Sequence, residues 1–123
     1  VILKENEVLI VDTEAGVEHF GRGVEKGIDT IFAIAEASME SLMVAKRVLA
    51  LASVMDKKRY LVINKVPHGE REAKVLETAK SMELPVAGMI HYDEELFNSS
   101  LVSQKPSSSV AVKELEIIVN NLI

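Results

Sequence analysis

The sequence predicts an α/β fold, a parallel sheet with flanking helices, as a single domain over residues 1–123. Three observations predict it. Four short apolar runs, Val8–Val11, Thr30–Ala35, Tyr60–Ile63 and Pro85–Ile90, lack clean polar alternation, the pattern of strands covered on both faces. The runs lie roughly 20 to 30 residues apart, room enough for a crossover helix between each pair. The segments between the later runs carry helical periodicity, and alternating strands and helices build a parallel sheet.

Each element has its own signal. Ser38 to Met55 reads as a helix, with Ser38 able to cap the first turn and Leu42, Ala45, Leu49 and Ala52 recurring at helical spacing. Glu70 to Met82 reads as a second, with Glu70 and Lys74 four apart in the favourable order for an ion pair. Glu94 to Ser100 is a short helix. Val110 to Leu122 places Val112, Leu115, Val119 and Leu122 on one face, behind a Ser-rich lead-in that can supply a cap. Gln104 to Ser109 looks like a linker but is too brief to separate domains.

Composition narrows the function classes. The 123 residues suffice for one core, and nearly half are apolar. No apolar run approaches the roughly 20 residues of a membrane helix, so no transmembrane segment is expected. The absence of cysteine excludes a disulfide framework, a zinc–thiolate site and a thiol nucleophile, and it accords with a cytoplasmic protein. With a formal charge of −5 and no basic stripe, nucleic acid is not an expected partner. Lys57-Lys58-Arg59 is read as a helix-end cap. The chain begins Val1-Ile2-Leu3 without an initiator Met, as expected of a processed product or a piece of a longer protein.

In open parallel sheets ligands bind outside the carboxyl ends of the strands. The residues after the four runs are Asp12-Thr13-Glu14-Ala15-Gly16, then Glu36-Ala37-Ser38, then Asn64-Lys65-Val66-Pro67, then His91-Tyr92-Asp93. Acid and amide groups thus converge on one rim. Asp12 either caps the turn after its strand or holds a water of a magnesium shell, since magnesium takes few protein ligands. Gly16 either makes a turn or lets the backbone approach a phosphate. Asn64 offers a donor and an acceptor, which suits a purine edge as well as a backbone bond at a strand end. No Ser-His-Asp order or nucleophile elbow appears, and no catalytic residue is assigned. The Glu and Lys residues of the helices read as solvated faces.

Together these stretches resemble a family. VLIVDTEAGVEHFGRG, from Val8, is similar to the second nucleotide motif and switch of MinD/ParA-type P-loop ATPases, in the branch of the carbon-monoxide dehydrogenase accessory ATPase and the nitrogenase iron protein. DTIFAIAEASMESLMVAKRV resembles the next strand and helix, YLVINKV the strand whose Asn contacts adenine, and LPVAGMIHYDEEL the strand and loop closing over the base. The resemblance implies that Asp12 acts on magnesium through water and that Glu14, Ala15 and Gly16 form the γ-phosphate switch. It further implies that Asn64, Lys65, Val66, His91, Tyr92 and Asp93 surround the nucleotide. Many relatives carry Pro at the position of His91.

These ATPases begin with a strand and a KGGVGKT-type loop that cradles the phosphates, and this chain contains no Gly-Lys-Thr or Gly-Lys-Ser. The resemblance therefore implies a partial P-loop NTPase fold lacking the first strands, the C-terminal part of an ATPase domain. ATP or ADP with Mg²⁺ is expected only together with the missing N-terminal half. Without that cradle the chain alone is expected to hydrolyse nothing. The first strand would lie between Val8–Val11 and Thr30–Ala35, and its absence leaves backbone groups to be paired directly, by another chain or by the N-terminal half. The complete protein is expected to be a homodimer, with a client metalloprotein as a further partner. The alternative is a degenerate, non-catalytic paralogue acting as a protein-interaction module.

Overall fold

The computed structural model describes residues 2–14, 27–106 and 109–122. Its elements are β1 (Thr30–Glu36), α1 (Met39–Val54), β2 (Lys58–Val66), α2 (Glu70–Ser81), β3 (Val86–His91), α3 (Glu94–Leu101) and α4 (Val110–Leu122). The strands form a parallel sheet in the order β1-β2-β3. The α/β class with a parallel sheet and flanking helices is what the sequence predicts. Of the basic run Lys57-Lys58-Arg59, Lys57 closes the end of α1, its N–H donating to the Ala52 carbonyl at 3.1 Å, while Lys58 and Arg59 open β2.

Two helices cover one face. Ala33 and Ala35 of β1, Leu61, Ile63 and Val66 of β2, Leu42, Ala45 and Leu49 of α1 and Ala79 of α2 form a single buried cluster. Small residues on β1 and along α1 let helix and sheet approach closely. Ser38 caps α1 as the sequence indicates, its Oγ accepting from the Ser41 N–H at 3.2 Å. Ser41 Oγ in turn accepts from the Glu36 N–H at 2.9 Å, tying the end of β1 to the first turn of α1.

The other face is covered unevenly. Ile34, Val62 and Gly88 are lateral neighbours across the three strands, so their Cα positions share a face. Helix α4 packs there: a Cβ placed on Gly88 would meet Ile118 Cγ1 at 2.5 Å, and Val62 is buried. At β1 the cover ends, leaving Phe32 41% and Ile34 61% exposed. Phe32 keeps a tilted contact with Tyr60, ring centroids 5.6 Å apart.

Two expectations are corrected. Val8–Val11 is not a strand: it pairs with nothing among the described residues, and its side chains are between 46% and 87% exposed. With no ladder partner among the described residues, its backbone N–H and C=O groups are left to water. The buried stripe of α4 is not Val112–Leu115–Val119–Leu122. Ala111 and Ile118 are buried and Glu114 is half-buried, while Leu115 and Val119 are exposed. The stripe is rotated by one residue because Glu114 has an internal partner.

Candidate functional site at the strand ends

The three strands deliver their following residues to one end of the sheet, where an open cleft of about 470 Å³ is lined by Glu36, Ala37 and Ser38 after β1, Lys65, Pro67 and His68 around the end of β2, and Tyr92 after β3. The local backbone explains the shape of its floor. Between Ile63↔Met89 and Val66↔His91 the β2 strand carries one extra residue, a bulge of the kind that re-aims side chains beside sites. Lys65 sits there with φ 53°, a left-handed conformation uncommon for a residue with a Cβ. Its N–H donates to Asn64 Oδ1 at 2.9 Å, which holds the bend. The bulge returns Val66 to the buried cluster and turns Lys65 outward, where Nζ meets Glu36 Oε1 at 2.8 Å. That carboxylate raises the Lys65 pKa. Both side chains stay well exposed, so the pair spans the cleft as an adjustable bridge and adds little stability.

At the end of β3 two side chains are engaged internally. His91 is tied on both ring nitrogens. Its N–H donates to Glu114 Oε2 at 2.8 Å, and Nδ1 lies 2.7 Å from Glu114 Oε1. Nε2, sealed from solvent, lies 2.9 Å from Glu72 Oε2 but off the line of a ring N–H, so that contact is a charge pair and not an aligned hydrogen bond. Glu72 foremost, then Glu114, raise the imidazole pKa against the opposing effect of burial. His68 stacks on the ring, centroids 4.5 Å apart and planes 9° from parallel.

Asp93 uses both carboxylate oxygens on backbone amides. Oδ1 accepts from Glu95 at 2.9 Å and Leu96 at 3.3 Å, capping α3, while Oδ2 accepts from Ala111 at 3.0 Å in the first turn of α4. The Ala111 amide foremost, helped by those of Leu96 and Glu95 and by Ser109, lowers its pKa against partial desolvation.

The sequence-derived residues therefore separate. Lys65 and Tyr92 line the cleft. Asn64 stands beside it with its carboxamide oxygen turned to the backbone. Val66 is buried and reaches the rim only through its carbonyl, which accepts from the Tyr92 N–H at 3.1 Å. His91 and Asp93 position the wall through their internal bonds. Asp12 and Glu14 are exposed, in a segment without secondary structure, and Ala15 and Gly16 lie outside the described residues. Among the described residues no three acidic or His side chains are grouped to hold a metal ion. A purine nucleoside suits the rim, with flat Pro67, His68 and Tyr92 surfaces and polar Asn64, Ser38 and Lys65 nearby. Phosphates and magnesium do not fit these residues unaided, since among the described residues Asp12 belongs to no cluster of ligating side chains.

Sequence reasoning placed Pro67 on the rim but gave no part there to His68, Glu72 or Glu114. For Glu114 a signal existed: it interrupts the spacing from Ala111 to Ile118 at a position facing inward, where a polar residue calls for a partner.

An α/β fragment with a parallel sheet and a polar cleft at its strand ends is consistent with part of a P-loop NTPase domain. The comparisons with known proteins support that class. Two proteins of Methanocaldococcus jannaschii, each named an uncharacterized ATP-binding protein, are 37% identical to the chain: one over 109 residues, covering 89% of this chain and 43% of the relative, the other over 126 residues, covering 100% and 49%. The carbon monoxide dehydrogenase accessory protein of Rhodospirillum rubrum is 29% identical over 97 residues, covering 78% of this chain and 36% of that protein. The chain thus spans about half the length, or less, of the curated relatives it matches. No protein-family model matches it.

Proposed function

We propose that the chain is the adenine-side part of an ATP-binding, ATPase-like protein of the MinD/ParA type, with the strand-end cleft as the base and ribose side of the nucleotide site. The observation that carries this reading is the delivery of three consecutive strand ends to one cleft, and the names of the relatives support it. In this reading Asn64 and Lys65 meet the base, Val66 offers its carbonyl, Tyr92 covers the nucleoside, and His91 and Asp93 fix the loop that carries it. Asp12 acts on Mg²⁺ through water, and Glu14, Ala15 and Gly16 form the switch. When bound, the ion screens phosphate charge. The phosphate cradle comes from the other half of the polypeptide or from another chain, and hydrolysis requires it. The complete protein is a cytoplasmic homodimer, and the accessory-protein relative favours a metalloprotein client.

A second reading, a non-catalytic interaction module, draws support from the uncovered Phe32–Ile34 face of β1. Calorimetry with ATP and Mg²⁺ separates the two. The chain joined to a phosphate-loop half is expected to bind ATP, and Asp12→Ala is expected to remove the Mg²⁺ dependence while leaving adenosine-side affinity. No ATP binding by the joined form counts for the interaction module.

A further inference from the structure

We propose that His91 is a proton-operated clasp: charged, it ties α2 to α4 across the sheet and holds the His68 wall of the cleft in place; neutral, it lets α2 go. The geometry is specific. The ring end of β3 lies between Glu72 in the first turn of α2 and Glu114 on α4, and these helices pack on opposite faces of the sheet. The third group facing the ring is His68, from the segment joining β2 to α2, stacked on its plane. The His91 side chain is 16% and Glu114 22% exposed, so water screens that contact little, whereas Glu72, at 37%, is partly screened and is the weaker-held partner.

The ring chemistry sets which partner is lost. The imidazolium hydrogen-bonds Glu114 through Nδ1 and holds Glu72 at Nε2 by charge, whereas neutral imidazole has one donor, one lone pair and no charge. Glu114 binds both Nδ1 and the His91 main-chain N–H, so the remaining proton stays on Nδ1. The bare Nε2 then faces the Glu72 carboxylate at 2.9 Å, lone pair against negative charge. Glu72 sits three residues after Gly69, whose φ of 93° already marks a pivot before the helix. Release of Glu72 therefore frees the first turn of α2 together with Pro67 and His68. Because the folded pKa is raised, the tie is fully present below the unfolded imidazole pKa of about 6.5 and is lost as pH rises through the folded value.

The clasp stands apart from the nucleotide reading, and its test uses no ligand. On the full chain, NMR titration of the imidazole carbons gives the His91 midpoint, and hydrogen exchange corrected for intrinsic rates, read at the amides that donate to the first-turn carbonyls of α2, gives opening of that turn. We expect Glu72→Gln to lower the His91 midpoint. In the unmutated chain, exchange at the first turn of α2 should accelerate above that midpoint by about tenfold for each pKa unit that Glu72 contributes, while the turn of α4 around Glu114 stays protected. An unmoved midpoint in Glu72→Gln overturns the proposal. So does α2 exchange in the unmutated chain that follows intrinsic chemistry alone, a result that needs no variant to fold.

Discussion

Gly88→Ala is a small change with a calculable cost. Gly88 has no unusual φ, so alanine fits the backbone; the difficulty is the space above it. The new Cβ would lie 2.5 Å from Ile118 Cγ1 and 2.7 Å from Cδ1, against roughly 3.5–4.0 Å for comfortable carbon contact. The pair must separate by about an ångström, and Ile118 is buried at the centre of α4's contact with the sheet. Overpacking of this kind costs about 1–3 kcal/mol, whereas replacing glycine returns about 0.4–1 kcal/mol through the unfolded chain. A net loss of about 1–2 kcal/mol follows. Ile118→Ala alone should cost about 2–5 kcal/mol. In the double variant the clash has no second party, so it should be no less stable than Ile118→Ala. Urea unfolding followed by far-UV circular dichroism, with the denaturant slope checked for constancy, measures all three. Additivity of the single effects to within about 0.5 kcal/mol would refute the reasoning, since it would mean α4 does not rest on Gly88.

Two further perturbations probe other joints. Asp93→Ala should lower the thermal midpoint and expose the amides of Leu96 and Ala111 to exchange. In the unmutated chain the contribution of Asp93 is present above the unfolded carboxyl pKa of about 3.9 and lost only as pH falls through its depressed folded value; a stability difference between the two proteins that does not shrink as pH falls below the unfolded value would contradict this. Ile34→Lys should leave the unfolding free energy of the isolated chain within about 0.5 kcal/mol, because the side chain is already 61% exposed, yet weaken, in sedimentation velocity, the association with a separate phosphate-loop half that the proposed function calls for.

The fold was legible wherever the signal was local. Ser38 and the Ser-rich lead-in to Val110 announce helix starts by side-chain chemistry that needs only the next turn, and the Thr30, Tyr60 and Pro85 runs mark strands by composition. Val8–Val11 carries the same composition but pairs with no strand among the described residues, so the pattern without a partner gives an exposed segment. The α4 face was misread because an apolar count treats Glu114 as outward, when a histidine 23 positions away gives that carboxylate an inward partner. The rim as a location followed from strand order alone. Its division into cleft-lining and wall-positioning residues did not: it rests on the Lys65 bulge and the His68–His91 stack, which are contacts between distant positions.

The double cap at Asp93 has a consequence for how this region tolerates change. One carboxylate fixes the start of α3 and the start of α4 to the same point, so the intervening connection does not determine where α4 lies. Lengthening a flexible connection costs only about 0.6 kcal/mol per doubling. The stretch after Gln104 is therefore a natural place for inserted sequence, whether a family-specific extension or a fluorescent reporter. Such an insertion would leave α4 seated on the sheet while the new segment projects from beside the cleft.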